Sequence, residues 1–394
     1  MLTLVFSASA LACLLLTLVF LAYLHANPRE PANDNFSYFM ELMEVIEHRF
    51  IGELDIDELT DEAMRAAVEA LDDDWSYYMT PDEYAELLRN SNNRYSGIGV
   101  DVMIDEETEG MKVMGVYSNS GADQAGIVIG DIITAVDGES IIGLTLSEIR
   151  TMLRRPLGST AILTVLRVNG EYHEVTVLYD LVFTDPVSYE MLDGNIGYVL
   201  LRNFEEDAGD RFISAVNDLI SRGADGFIYD VRNNNGGRVN EVTQILDFLL
   251  PKGEIFISVD RSGIEKITRS DADFIDLPAV VLVNEHSYSG AEFFAAMLYE
   301  YNYAATVGEQ TTGKNRMQTT IPLSNGGAVH ISTGHYLTKN RISLYDIGGF
   351  TPDHIVPMTE DEKALFNRGD LEKKSDPQFQ KALSLLEIAI DNRD

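Results

Sequence analysis

Cysteine is nearly absent. Cys13 is the single one in 394 residues, which excludes an intrachain disulfide framework and any cysteine-cluster metal site. Basic charge is scarce too: 29 Lys plus Arg face 64 Asp plus Glu, a formal charge of −35. That balance argues against binding nucleic-acid backbones or an anionic membrane surface through bulk electrostatics. Lysine is scarcer still, with nine in the whole chain, so a lysine placed where chemistry would need one carries information. No Gly-x-Ser-x-Gly occurs, and with it goes support for a Ser-His-Asp nucleophile elbow. What is present is an apolar share of 45%, too high for a disordered chain, and a length that suggests two or three domains. No metal or cofactor is expected.

The N-terminus opens with 23 uncharged residues, Leu2 to Leu24, roughly 35 Å as a helix and enough to cross a bilayer. A cleaved signal peptide is the rival, with Leu24-His25-Ala26 as a passable cleavage site. No basic segment precedes the run, and it exceeds a usual signal core. Lipid attachment at Cys13 is disfavoured because Ala10 stands where a bulky aliphatic is wanted. The expectation is an uncleaved single-pass anchor over residues 1–26, with the chain from 33 onward outside the cytoplasm; the alternative is a secreted or periplasmic protein. A linker (27–35) leads to a helical region (36–94). There Phe36, Phe39, Met43, Ile46 and Phe50 recur at helical spacing, an apolar face that suggests self-association. Thr60 is expected to cap a helix through Leu71. Thr80-Pro81-Asp82-Glu83 is expected to open another through about Asn90.

Residues 95–182 alternate in the manner of strands. Ser96-Gly97-Ile98-Gly99 precedes Val100 to Met103, Asp105 to Gly110 reads as a hairpin tip, and Thr145 with Glu148 forms a capping box. Gly130-Asp131 to Asp137-Gly138, then two strands joined by Asn169-Gly170, complete the module. This order of segments resembles a PDZ domain. The resemblance implies that the N–H groups of Ser96, Gly97, Ile98 and Gly99 capture a peptide's C-terminal carboxylate, and that the peptide adds a strand beside Gly99–Met103.

From Asn195 strands and helices alternate, which predicts a layered α/β sheet with functional loops at strand ends. Ser289 lies where the strand Ala279–Asn284 turns into a helix from Gly290, so its hydroxyl can stand beside free helix N–H groups. Those suit an oxyanion, with a second donor from the turn Gly236-Gly237. Lys314 and Gln318 share a face at a spacing of four, so the amide of Gln318 could orient the amine. A serine needs a base to take its proton, and a lysine serves if burial or neighbours depress its pKa. His286 is close in sequence, but the turn need not aim it at Ser289. Taken singly, Ser289 also reads as a helix cap, Lys314 as a surface lysine and Gln318 as a solvated amide.

Three segments change that balance. They are Asp230-Val231-Arg232-Asn233-Asn234-Asn235-Gly236-Gly237, Ser287-Tyr288-Ser289-Gly290-Ala291-Glu292 and Gly313-Lys314-Asn315-Arg316-Met317-Gln318. Together with Gly349–Asp353 and Asp376-Pro377-Gln378, they resemble the C-terminal processing (tail-specific) serine peptidases. The resemblance covers the chain from about residue 36. It implies a multidomain α/β plus α+β protein: a crotonase-like peptidase core (183–360) with an inserted PDZ domain (95–182) and a C-terminal helical segment (361–394). It also implies a Ser289 nucleophile, a Lys314 base, an orienting Gln318, and an oxyanion hole from Gly290 and Gly236 or Gly237. The family pattern departs here at Gly290, Asn235, Asn315, Arg316 and Tyr288, which bears on rate and preference more than on mechanism. The expected activity is endopeptidase cleavage near the C-termini of protein substrates with exposed tails. The alternative is a catalytically weak or silent membrane-anchored PDZ scaffold, with an acyl-CoA enzyme a distant third on fold grounds.

Overall fold

The structure, a computed structural model, describes residues 34–90, 93–105, 107–271 and 273–393. The apolar run Leu2–Leu24 and Cys13 lie outside them. Among the described residues no helix is long and apolar enough to cross a membrane.

Two units are separated at Ala70. The first holds helices α1 (Asp34–Arg49) and α2 (Ile56–Glu69). Phe36, Phe39 and Phe50 on the expected apolar face are exposed. Helix α2 starts four residues before the expected Thr60. Asp55 is its cap, accepting from the N–H groups of Asp57 and Glu58 at 3.0 Å each. Aspartate followed by two acidic residues suits a helix N-terminus well. Thr60 is left mid-helix, its hydroxyl bonded back to the Ile56 carbonyl at 2.7 Å.

The second unit begins with strand β1 (Tyr77–Met79) and helix α3 (Pro81–Asn90). The reciprocal Thr80–Glu83 cap that opens α3 has bonds of 2.8 and 3.3 Å. Strand β2 (Arg94–Gly97) follows. Next comes an antiparallel module of β3 (Val100–Ile104), β4 (Met111–Val116), α4 (Gly121–Gln124), β5 (Ile132–Val136), β6 (Glu139–Ser140), α5 (Leu146–Met152), β7 (Thr160–Leu166) and β8 (Tyr172–Leu178). Its sheet runs β3-β4-β5-β7-β8, with β6 on β5, so β3 forms one edge. Ile98, Val113, Ile133, Ile149, Leu163 and Val177 fill the core of this module. Strand β9 (Asp180–Phe183) pairs with β2, so the chain leaves the module beside the place where it entered.

The remainder runs β10 (Val187–Leu192), β11 (Ile196–Leu201), α6 (Ala208–Ser221), β12 (Gly226–Asp230), α7 (Val239–Leu249), β13 (Gly253–Asp260), β14 (Glu265–Ser270), β15 (Ala279–Val283), α8 (Gly290–Glu300), β16 (Ala304–Gly308), β17 (Arg316–Pro322), β18 (Ala328–Leu337), β19 (His354–Ile355), α9 (Glu360–Arg368) and α10 (Pro377–Asp391). One sheet has the order β10-β11-β12-β15-β16-β19 and the other β1-β18-β13-β14, with β17 on β18. In the first sheet every pairing from β11 to β19 is parallel. Strands β12 and β15 are buried along their whole length, which requires cover on both faces. Alternate residues supply it: Phe227, Tyr229, Val281 and Val283 pack with α6, α7 and α8. Ile228, Val280 and Leu282 pack with Phe379, Ala382 and Leu386 of α10. Because β12, β15 and β16 are parallel neighbours, the loops after their carboxyl ends lie side by side. Those loops carry Gly236-Gly237, Ser289 and Lys314.

Candidate active site

Ser289 has φ 56° and ψ −120°, a backbone conformation that a residue with a side chain adopts at a cost. Glu292 holds it there. Its carboxylate accepts from the Ser289 N–H (2.9 Å) and, across the strand-end gap, from the N–H groups of Gly313 (2.8 Å) and Lys314 (2.6 Å) and the Thr311 hydroxyl (2.7 Å). One fully buried carboxylate thereby fixes the serine turn against the lysine loop. Burial pushes its pKa up, and these four donors oppose that shift. The serine loop is also tied to the turn after β12. The Ser287 hydroxyl donates to the Val231 carbonyl (2.8 Å), and the Tyr288 N–H donates to the Asn234 carbonyl (3.2 Å).

The glycine turn meets Ser289 at close range. A methyl group on Gly236 Cα would stand 2.7 Å from the Gly290 nitrogen and 2.8 Å from Ser289 Cβ. The side-chain-free position therefore lets the two backbones touch. The Gly236 N–H, expected as a possible oxyanion donor, is already committed to Asn234 Oδ1 at 2.8 Å. That corrects the choice between the two glycines, because a donor already engaged on a buried acceptor does not serve a ligand. The N–H groups of Gly237 and Gly290 have no acceptor among the described residues. A side chain on Gly290 would meet Val242 Cγ2 at 2.8 Å, so the departure from alanine here is matched by the packing behind it.

Lys314 is half-buried. Burial draws its amine pKa below the usual lysine range, while Asp73 and Glu292 act in the opposite sense. The amine lies 4.0 Å from the centroid of the Trp75 ring and 5.9 Å from that of Tyr288. No hydrogen bond joins it to Ser289 among the described residues. Gln318 follows a β-bulge at Met317/Gln318, and its Nε2 donates to the Ser332 hydroxyl at 3.1 Å. The bulge breaks the simple alternation on which a shared face with Lys314 relied. Ser332 continues the chain of bonds: its N–H donates to the Ser76 hydroxyl (3.0 Å), which donates to Asp73 (2.5 Å). Arg316 donates to the same carboxylate at 3.0 Å. His286 is exposed, and only its N–H joins the loop, at Asn284 Oδ1.

Three contributors were not evident from spacing. Glu292 served there only as a motif landmark. Tyr336 donates to the Lys314 carbonyl at 2.5 Å. Trp75 lies in a stretch that reads as plain packing. Beneath the loops, buried Arg232 donates to Asp230 (2.6 Å), to Asp376 (2.7 Å) and to Gln378 (3.1 Å), joining the glycine turn's root to the cap of α10.

At the PDZ-like module, the Ile98 carbonyl accepts from Ala122, and the Gly99 carbonyl accepts from Tyr117 and from the Ser120 hydroxyl. With those carbonyls tied back, the N–H groups of Ile98 and Gly99 have no acceptor among the described residues. Gly99 has φ +83°, and a methyl group on it would stand 2.2 Å from Ser120 Cβ. Gly97 and Ser96 belong to β2, paired with Asp180 and Leu181. Edge strand β3 lies beside this loop with one side unpaired.

Residues 195–356 match the sequence profile of Peptidase family S41, and residues 112–167 match that of the PDZ domain. The carboxyl-terminal-processing protease of Synechocystis sp. is 30% identical over 330 residues, covering 82% of this chain and 76% of that protein. Its counterpart from Picosynechococcus sp. is 31% identical over 331 residues, covering 82% and 78%. Among solved structures, the photosystem II D1 C-terminal processing protease aligns with a TM-score of 0.50 at 25% identity, over 86% of this chain and 92% of that one.

Proposed function

Because the chain belongs to Peptidase family S41, the carboxyl-terminal-processing proteases, and is a serine peptidase with a PDZ domain, we propose that Ser289 is its nucleophile and neutral Lys314 its general base. Ser289 Oγ attacks the scissile carbonyl as its proton passes to Lys314 Nζ. The ammonium then protonates the leaving amine as the C–N bond breaks. Water, deprotonated by the same amine, hydrolyses the acyl-enzyme. The N–H groups of Gly290 and Gly237 hold the oxyanion, with Gly236 supplying the close approach, and Gln318 orients the base once Lys314 turns toward Ser289. The observation that carries this reading is the buried Glu292 carboxylate, bonded to the backbone of Ser289 and Lys314 together.

The PDZ loop Ser96–Gly99 takes the substrate's C-terminal carboxylate through the Ile98 and Gly99 N–H groups, and the tail pairs along β3. Substrates are proteins with exposed C-termini, cut near those ends. Residues 1–26 anchor the enzyme in the cell membrane with the PDZ module (95–182), core (183–360) and C-terminal helices (361–394) outside the cytoplasm. The exposed apolar face of α1 supports self-association.

Cleavage of an unstructured protein by a chain starting at residue 33 tests the chemistry. Ser289→Ala and Lys314→Ala should each lose at least a hundredfold in kcat. Full activity in either would refute the assignment. Gly99→Ala, strained by its positive φ and its clash with Ser120, should slow tailed substrates and spare tailless ones. Equal loss on both would reject the PDZ role. Fractionation of the full chain, with and without residues 1–26, tests the anchor.

A further inference from the structure

The chain contains one tryptophan, and it faces the base. Trp75 precedes β1, whose pairing with β18 (Tyr77 against His330) carries the segment to the lysine loop. The Lys314 amine lies 4.0 Å from the Trp75 centroid and 5.9 Å from that of Tyr288, and the two rings are 6.1 Å apart at 36°. The amine makes no hydrogen bond or salt bridge among the described residues, so the π faces are its contacts. An indole face attracts an ammonium through the ring quadrupole, and that charge-based attraction is lost for a neutral amine. The same ring also covers the amine from water.

Accepting Lys314 as the base, we infer that Trp75 is a positioning residue: its indole face parks the protonated Lys314 amine off Ser289 and must yield it before Lys314 can act. The other charged or titratable groups that face the amine are Asp73 on the Trp75 segment, Glu292 on α8, His330 on β18 and the phenol of Tyr288, while the Tyr336 hydroxyl is taken up by the Lys314 carbonyl. Arg316, on the lysine's own stretch, is engaged by Asp73. Tyr288 is a second ring at longer range and cannot replace a face in near contact. Removing the indole while keeping apolar cover therefore withdraws support from the ammonium and leaves the two carboxylates in place.

The test is the pH profile of kcat/KM for the wild-type chain and Trp75→Leu. The acid limb should move to lower pH by roughly half a unit to one unit, raising the rate below the limb about three- to tenfold. A merely structural role would lower the rate at every pH and leave the limb in place, and that result would overturn the inference. A second readout needs no change at Trp75. Emission excited at 295 nm comes from this single indole, and it should titrate with the acid limb in the wild-type chain and lose that transition in Lys314→Met. A transition that persists in Lys314→Met belongs to His330 or Glu292 and counts against the inference. If Lys314→Ala retains full activity, the assignment of the base falls first and takes the Trp75 role with it. If Lys314→Ala is inactive while the Trp75→Leu limb stays put, the Trp75 role alone falls.

Discussion

At the scale of the residue, Glu292 bears more of the site than any hydroxyl or amine in it. Each of its oxygens accepts two hydrogen bonds, one set from Ser289 and Lys314, the other from Gly313 and Thr311. Glu292→Gln keeps the shape but turns an NH2 group toward two donors. Buried donors left without acceptors cost about 1–3 kcal/mol each, so urea denaturation should show a loss in that range or above, with kcat down at least tenfold. Unchanged stability would show that the loops are held some other way. Lys314 gives a second prediction, with a definite sign. Its amine loses its proton more readily when folded than in the unfolded chain, whose ordinary value is 10.5. Between those two values the unfolded chain binds the extra proton, so this residue makes stability rise with pH. Denaturation at a series of pH values below 10.5 should show the rise flattened in Lys314→Met. The strand-end positions of Ser289 and Lys314 were legible because they follow from local pattern, whereas the shared face of Lys314 and Gln318 was read without the bulge that interrupts it. Trp75 and Tyr336 were not legible, since they reach the lysine only through the pairing of β1 and β17 with β18, a long-range event that no local window encodes.

At the scale of the element, strand ends and helix caps decide what the loops can do. Arg232, at the end of β12, pairs with Asp230 and with Asp376, which caps α10 by accepting from the Gln378 and Phe379 N–H groups. The guanidinium and both carboxylates are buried, so removing the cation strands two anions. Arg232→Met should cost on the order of 3–5 kcal/mol, the range for breaking a buried pair from one side. It should also slow turnover, because the turn that holds Gly236 and Gly237 springs from the same strand end. Chemical denaturation and kcat on one preparation check both, and a stable variant with normal kcat would separate the hub from the site. Elements themselves were mostly readable: the Thr145–Glu148 box and the Thr80–Pro81–Glu83 start stand where the sequence puts them. The misplaced start of α2 arose from two competing caps, Asp55 and Thr60, of which the aspartate with acidic followers wins. The bulge at Gln318 has no comparable local signal.

At the scale of the whole molecule, topology explains why the loops that carry a serine and a lysine 25 residues apart lie side by side. Three parallel neighbours, β12, β15 and β16, deliver three loops to one edge, and an antiparallel module enters and leaves between β1 and β10 without disturbing that sheet. The order of modules could be read from the sequence, whereas the use of β1 to complete the second sheet could not, because three residues of strand carry no periodic signature. The charge of −35 acts on this whole assembly. Exposed like charges repel in the compact state more than in an expanded chain, and salt screens that repulsion with a Debye length of about 10 Å at 0.1 M. Surface ion pairs such as Arg341–Glu254 and Lys373–Glu190 are screened as well, but isolated pairs contribute roughly 0–1 kcal/mol each, and there are far more acids than bases to pair. Repulsion therefore wins, and Tm of the chain from residue 33 should rise by a few degrees between 10 and 150 mM NaCl, on the order of 1 kcal/mol for a chain of this size. The same field should draw substrates with basic tails faster at low salt, so their kcat/KM should fall over the range in which Tm climbs. A Tm that falls with salt would mean that the ion pairs outweigh the excess of carboxylates.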